Sequence, residues 1–235
     1  MTDLTRRLLA GTAALTLIGT ALTGCSEDRL TAPCAVLIDG SGSGDKFDAA
    51  KRLDDTFNSF LLDNGCGSVG FVPIDSAPLA STCFIKTVDI DPDLGGNSDP
   101  ETVRGGRRKL ALKNAQEMLA CAKKNPYSDV MGGLQRAVQQ KPTGTGTYQL
   151  LVVSDMLQNT PQWSLYKTDL KTPAAIAKAV QERAANAPNL AGARVSITDC
   201  GVTLGSSEQA QQVRSFWTQL FGSTQAGNPE VSFER

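Results

Sequence analysis

Short apolar runs alternate along this chain with segments in which apolar residues recur every three or four positions. The runs predict buried strands at residues 34–38, 69–74, 84–90, 148–153 and 193–197. The segments with apolar residues at every third or fourth position predict helices at residues 46–62, 107–124, 130–140, from 173 onward, and 206–221. Strands and helices alternate over most of this order, which is typical of a parallel sheet with helices packed on it.

The third predicted strand departs from that alternation. Only residues 75–82 connect it to the second strand, and this link is too short for a crossover helix, so the two strands are expected to be antiparallel. Polar Lys86 and Thr87 interrupt its apolar run, as on a half-exposed edge strand. The prediction is an α/β domain over residues 34–222: a doubly wound, mostly parallel central sheet with one antiparallel edge strand and helices on both faces. Residues 223–235 carry no predicted element and are interpreted as a C-terminal tail.

Residues 1–24 resemble a bacterial lipoprotein signal peptide rather than part of the fold. Arg6 and Arg7 precede an apolar stretch that is too short to span a bilayer stably, and a lipobox, Leu22-Thr23-Gly24-Cys25, ends it. The resemblance implies cleavage before Cys25 and a diacylglyceryl anchor on its thiol. Residues 25–33 would then be a tether, and the domain would be exported and held at the cell membrane or outer membrane. The alternative is an ordinary signal peptide in which Cys25 is incidental.

Composition narrows the possible functions. The chain has a net charge of −1 and no basic excess, so a nucleic-acid partner is not expected. It contains no histidine, which excludes Ser-His-Asp and Cys-His nucleophile systems and His-ligated zinc.

The cysteines beyond Cys25 are odd in number. They are Cys34, Cys66, Cys83, Cys121 and Cys200, so the chain can form at most two disulfides among them, with one thiol left free. Cys34 and Cys66 each open a predicted strand, and parallel neighbouring strands would bring both thiols to the same end of the sheet. A Cys34–Cys66 disulfide is therefore preferred, with small buried hydrophobic thiols as the alternative.

An oxygen-rich turn, Asp39-Gly40-Ser41-Gly42-Ser43, follows the first strand directly. Asp155 follows another buried strand, and Ser128 precedes a helix. Because parallel strands end at the same edge of a sheet, Asp39, Ser41, Ser43, Ser128 and Asp155 are predicted to converge there. Such oxygens suit a hard divalent cation, Mg²⁺ or Mn²⁺. The alternative is a hydrogen-bonded turn without a ligand.

This pattern resembles the metal-ion-dependent adhesion site (MIDAS) of von Willebrand factor type A (VWA) domains, a family with a Rossmann-like fold. There the first loop is Asp-x-Ser-x-Ser, the second supplies a Thr and the third an Asp. The resemblance, which extends over residues 33–222, implies that Ser41 and Ser43 bind the cation directly and that Asp39 and Asp155 bind directly or through water. Ser128 replaces the usual Thr, and the sequence lacks an obvious sixth strand and closing helix.

The resemblance implies protein binding rather than catalysis. Two carboxylates and neutral hydroxyls leave a divalent cation with an open position, which a carboxylate of a protein partner would fill. The alternatives are a metal-dependent hydrolase whose base is a carboxylate or Lys, a solute-binding lipoprotein with a deep apolar pocket, and a scaffold with a degenerate metal site. Trp163, in the loop after Asp155, is either a partner contact or a loop anchor.

Overall fold

The computed structural model describes residues 29–42, 46–94, 98–123 and 125–234. Its strands, named in chain order, are β1 (Ala32–Asp39), β2 (Cys66–Ile74), β3 (Val88–Asp89), β4 (Tyr148–Val153), β5 (Ala193–Thr198) and β6 (Glu230–Glu234). The helices are α1 (Ala49–Asp63), α2 (Pro100–Ala122), α3 (Val130–Gln139), α4 (Pro173–Ala184) and α5 (Ser207–Phe221). In the described ranges the strands form one sheet in the order β3-β2-β1-β4-β5-β6.

The predicted α/β architecture is confirmed. β1, β2, β4, β5 and β6 run parallel, and β3 pairs antiparallel with β2 at one edge. Successive side chains of a strand point to opposite faces, so Ala35 and Leu37 of β1 pack on one side and Val36 and Ile38 on the other. Helices α3, α4 and α5 cover the first face, while α1 and α2 cover the second. Both faces are apolar cores, which explains why residues 35–38 of β1 and 150–153 of β4 are continuous apolar runs.

Side-chain caps set where several helices begin. Thr172 caps α4 and Ser206 caps α5, each by accepting a hydrogen bond from a backbone N–H three residues on. α2 begins at Pro100, well before the predicted start near residue 107. Asp99 caps it through a 2.8 Å bond from the Thr102 N–H. The sequence prediction was misled by Gly105 and Gly106, which lie inside this helix.

The predicted third strand is much shorter than expected. Only Val88 and Asp89 pair with β2, whereas the preceding residues are irregular. A disulfide to α2 holds Cys83, and Phe84 beside it is exposed. Cys83 is thus bonded to α2 rather than paired with β2, and the apolar residues after it do not form a longer strand.

The expected C-terminal tail completes the sheet instead. Residues Glu230–Glu234 form β6, which pairs in parallel with β5 from Arg194↔Glu230 to Thr198↔Glu234. The interpretation of residues 223–235 as a tail outside the domain is therefore wrong, as is the apparent absence of a sixth strand. Val231 and Phe233 alternate with polar residues and pack against the core, which is the pattern of a half-buried edge strand.

The last part of the expected tether also belongs to the folded unit. Ala32 and Pro33 lie in β1, and the Leu30 N–H donates a 2.7 Å hydrogen bond to Oδ2 of Asp91. The expected signal peptide and Cys25 lie outside the described residues. Along the ranges given above, no helix is both long and apolar enough to cross a membrane.

Two disulfides join elements of the second core. Cys34 in β1 is bonded to Cys66 in β2, the pairing preferred from the sequence, and Cys83 is bonded to Cys121 in α2. The second pairing had no signal in the sequence, because Cys83 lies in an irregular segment whose position depends on the tertiary fold. Cys200 is a buried free thiol.

Candidate metal centre

An aspartate lies at the C-terminal end of each of the four central parallel strands. Asp39 ends β1, Asp75 follows β2, Asp155 follows β4 after Ser154, and Asp199 follows β5. All four are buried. Asp39 and Asp155 were predicted as ligands from the sequence, whereas Asp75 and Asp199, which follow apolar strands in the same way, were not. The edge predicted for the site is therefore more acidic than expected.

Asp39 is the point at which the loops of this edge converge. Its Oδ2 accepts hydrogen bonds from the hydroxyl of Ser128 at 3.0 Å and from that of Ser154 at 2.8 Å. Its Oδ1 accepts the backbone N–H of Ser41 at 3.0 Å. The three donors follow β1, precede α3 and follow β4. One carboxylate thus organises three segments that are distant in sequence.

Gly40 allows this first loop to lie close to the end of α2. A Cβ atom on Gly40 would lie 2.3 Å from Cβ of Ala122 and 2.5 Å from its carbonyl carbon, closer than any real side chain could approach. The Gly40 N–H also donates to the carbonyl of Ile74 at the end of β2. Any larger residue at this position would displace Asp39 or Ser41.

Ser128 is held in place by the backbone of the loop after β4. Its N–H donates to the carbonyl of Asn159 at 3.0 Å, and the Asn159 N–H donates back at 2.8 Å. The neighbouring Asp129 caps α3 through the Gly132 N–H and also accepts a 2.9 Å bond from the side chain of Gln158. Asp129 is therefore the residue that caps α3, and the Ser128 hydroxyl donates to Asp39 instead.

Asp155 is fixed by its own loop and by the loop after β5. Its Oδ1 accepts the Leu157 N–H at 3.1 Å, and its Oδ2 accepts the hydroxyl of Thr203. Its backbone carbonyl accepts the Gly201 N–H at 2.8 Å. Asp155 therefore couples the candidate site to residues 201–203, a segment that the sequence analysis did not connect with it.

Electrostatics make this pair of carboxylates a favourable place for a cation. Burial raises the pKa of Asp39, and the hydrogen bonds from Ser41, Ser154 and Ser128 offset this effect only in part. The pKa of the Tyr166 hydroxyl is raised by burial first, then by the negative charge of Asp155 and, more weakly, by that of Asp39. The negative charges of both carboxylates thus reach the Tyr166 hydroxyl.

A cleft of about 330 Å³ opens beside these groups. It is lined by Ser41, Gly42, Lys46, Pro126, Ser128, Leu157, Asn159 and Tyr166. The two serines are candidate ligands, so a cation bound to them would face this opening. Its wall mixes hydroxyl, amide and ammonium groups with Pro126, Leu157 and Tyr166, so it is not a purely apolar pocket.

The residues present fit a hydroxyl-rich cation site better than a site built from acidic side chains alone. In the part of the chain that the structure describes, no cluster of three or more His, Cys, Asp or Glu side chains is suited to a metal ion. A serine hydroxyl, however, donates one hydrogen bond and keeps two lone pairs. Ser128 can therefore donate to Asp39 and still offer an oxygen to a cation.

The structure brings four of the five predicted ligands to this edge. Asp39, Ser41 and Ser128 are joined by hydrogen bonds or direct chain connection, and Asp155 lies at the end of the adjacent strand. Ser43 lies outside the described residues. Ser154, Thr203 and Tyr166 were missed. Ser154 could have been noticed because it directly precedes Asp155, whereas Thr203 and Tyr166 reach the site only through the tertiary fold.

Trp163 acts as a loop anchor. Its indole N–H donates to the hydroxyl of Thr168 at 3.1 Å, its ring packs 5.7 Å from that of Phe216, and the guanidinium of Arg183 lies 4.8 Å from its centroid. These contacts hold the loop after β4, which carries Asn159 and Tyr166. Trp163 therefore supports the cleft from the side of the core.

Comparison with known proteins leaves this chain without an assigned family. No protein-family model matches its sequence, and no curated protein is significantly similar to it. The evidence for function therefore comes from the geometry of the site and the topology of the sheet.

Proposed function

We propose that this protein is a VWA-like binding module, anchored to a membrane through Cys25, which engages a protein partner through Mg²⁺ or Mn²⁺. The observation that carries the proposal is the convergence of hydroxyls from separate loops on the buried carboxylate of Asp39, with Asp155 at the end of the adjacent strand. The sheet order, with an antiparallel edge strand, supports it.

In this proposal Asp39, Asp155, Ser41 and Ser128 hold the cation, together with Ser43. When bound, the cation would supply a Lewis-acidic position that attracts an anionic oxygen. The carboxylate of Asp39 is fully buried, and hydroxyl dipoles stabilise its charge only in part. A divalent cation held by these residues would offset the negative charge of the carboxylates, and a partner's carboxylate would complete its coordination.

Exposed apolar side chains around the cleft favour a protein partner over a small solute. Tyr127 is 39% exposed, Tyr166 52% and Val202 53%. Tyr127 precedes Ser128, Tyr166 lines the cleft, and Val202 adjoins Thr203, which is bonded to Asp155. Tyrosine side chains supply large, rigid contact area at low entropic cost in protein interfaces.

The direction of β1 would place a lipid anchor and the candidate cation site at opposite ends of the domain. The chain enters β1 at one end of the sheet and reaches Asp39 at the other, about 23 Å away over the seven residue steps from Ala32. An anchor at Cys25 would therefore hold the candidate cation site on the side of the domain that faces away from the membrane. A partner would approach from the aqueous compartment or from an opposing surface.

Isothermal calorimetry of the full chain in detergent with Mg²⁺ and Mn²⁺ tests the cation site. We expect saturable binding that is lost in Asp39→Ala and Asp155→Ala and kept in Asp93→Asn, which changes an exposed aspartate. Absence of binding by the wild-type chain, or equal binding by Asp39→Ala, would refute the proposal.

A pull-down from envelope extract tests the partner. We expect a protein that the wild-type chain retains, that EDTA releases and that Asp39→Ala does not retain. Substrate turnover that requires Asp39 would instead favour a metal-dependent hydrolase.

A further inference from the structure

A second cavity, of about 560 Å³, lies at the same edge of the sheet as the candidate metal centre. It is formed between α1, the loop after β5 and the start of α5. The residues that matter for its chemistry are Arg52, Asp199, Val202, Leu204, Ser206 and Arg214. None of them belongs to the proposed cation site.

Arg52 is held at this cavity by a buried carboxylate. Its Nη2 donates a 2.8 Å hydrogen bond to Oδ1 of Asp199, and its Nε pairs with Oδ2. Asp199 is buried, whereas the Arg52 side chain remains 32% exposed. The pair therefore fixes the direction of the guanidinium and still leaves part of it open to the cavity.

Arg214 brings a second guanidinium without a second acidic group. Its Nε donates to the carbonyl of Cys200 at 3.4 Å, which holds the side chain against the loop. Burial raises the pKa of the Cys200 thiol to about 12, so this thiol is neutral at pH 7 and does not offset the charge of Arg214. The residues that line the cavity thus carry two positive charges and one negative charge.

The remaining walls suit a carboxylate on an aliphatic stem. Ser206 and Ser207 contribute hydroxyls at the start of α5, and Ser206 caps the helix through the Gln209 N–H. The first N–H groups of a helix lack acceptors within it and favour an anion. Val202 and Leu204 form an apolar wall. Glu208, the acidic residue of this first turn, does not line the cavity and accepts a bond from Gln212.

A single loop separates this cavity from the cation cleft. Thr203 donates its hydroxyl to Asp155, whereas Val202 and Leu204, on either side of it, line the arginine cavity. Leu204 and Tyr166 both border a smaller cavity of about 220 Å³, and Tyr166 is also a wall of the cation cleft. Tyr166 therefore borders both the cation cleft and the smaller cavity, and Leu204 borders both the smaller cavity and the arginine cavity.

We propose that the cavity between Arg52 and Arg214 is a second acid-binding site, which takes another carboxylate from the same segment of the protein partner. The partner segment would carry two acidic residues separated by a short stretch that lies over Tyr166 and Leu204. The shared partner rests on the proposed function, whereas the affinity of the arginine cavity for a carboxylate does not depend on the cation.

The first test uses acetate as the probe and EDTA to remove any cation. We expect saturable changes in the amide NMR signals of Gly201, Val202 and Ser207 of the full chain in detergent. Arg214→Gln should weaken acetate binding about fivefold or more, because it removes the guanidinium without a paired carboxylate. Arg194→Gln, at the opposite end of β5, should leave binding unchanged, and Arg214→Lys should restore it in part. Absence of these changes, or equal affinity in Arg214→Gln, would overturn the proposal even if Mg²⁺ binds.

The second test asks whether one ligand occupies both sites. Linear dicarboxylates of increasing chain length are titrated in Mg²⁺ and in EDTA. We expect an affinity maximum at one chain length in Mg²⁺, about tenfold above acetate, which disappears in EDTA and in Arg214→Gln. If acetate binds in EDTA but no length maximum occurs in Mg²⁺, the arginine site stands and the shared segment is refuted.

Discussion

Replacing Asp39 by Asn separates the cost of burying a charge from its use in holding a cation. The carboxylate is fully buried, and its raised pKa shows that its ionised form is less favoured in the folded protein than in water. Asn keeps nearly the same shape and removes the charge. Its amide oxygen can accept the Ser41 N–H, and its NH2 group can donate to the hydroxyls of Ser128 and Ser154, since both hydroxyls can rotate to accept.

The substitution should therefore have opposite effects on the melting temperature, relative to the wild type, in the cation-free and the cation-bound protein. In EDTA we expect Asp39→Asn to unfold at the same temperature as the wild type or above it. At a cation concentration of about 100 times the dissociation constant, binding stabilises the wild type by about 2.7 kcal/mol. For a domain of this size, that corresponds to a rise of about 5–10 °C in the melting temperature. The variant should gain almost nothing.

Differential scanning calorimetry of the full chain in EDTA, Mg²⁺ and Mn²⁺ measures both effects. Asp93→Asn is the matched control, because it removes the charge of an exposed aspartate, and it should follow the wild type in every buffer. A cation-induced rise in Asp39→Asn equal to that of the wild type would refute the role assigned to Asp39. A strong loss of stability of Asp39→Asn in EDTA would refute the reasoning on buried charge.

Three further predictions concern the fold that carries the site. Hydrogen bonding to Arg104 lowers the pKa of the buried Asp91 carboxyl in the folded protein. The ionised carboxylate therefore stabilises the fold at pH values above its unfolded pKa of about 3.9, and this contribution is lost as the pH falls through the folded pKa. Asp91→Asn should thus cost about 3 kcal/mol at pH 7 and much less near pH 2 in urea unfolding. Gly40→Val should abolish cation binding and lower the free energy of unfolding by about 3 kcal/mol or more, because the valine side chain would collide with Ala122. In the control Gly42→Ala, the added methyl group meets no neighbouring atom, so its free energy of unfolding in urea should be close to that of the wild type. Reduction of the two disulfides should lower the free energy of unfolding by about 4 kcal/mol for each bridge, and unchanged urea midpoints with dithiothreitol would contradict this.

Prediction from sequence succeeded where the signal is local. The apolar runs of β1 and β4 are buried on both faces, so their burial is written in consecutive residues. Thr172-Pro173 and Ser206 mark helix starts because a cap acts over three residues. The strand ends then placed Asp39 and Asp155 at one edge, since parallel strands share their direction.

Prediction failed where an element depends on a distant neighbour. β6 was missed because only two of its side chains, Val231 and Phe233, pack against the core. Two alternating apolar residues are too short a pattern to predict a strand from the sequence. The strand predicted over residues 84–90 was too long, because only Val88 and Asp89 pair with β2 and the residues before them follow Cys83, which is bonded to Cys121 of α2.

The chain by itself therefore determined the class of fold, the edge at which acidic and hydroxyl side chains collect, and the first disulfide, because each follows from strand direction and residue type. Only the tertiary structure decided that Ser128 and Ser154 share one oxygen of Asp39, that Thr203 binds Asp155, and that Arg52 and Arg214 line a cavity beside them. These contacts join residues far apart in sequence. No local pattern encodes them, since they arise from how the loops after separate strands fold over the same edge.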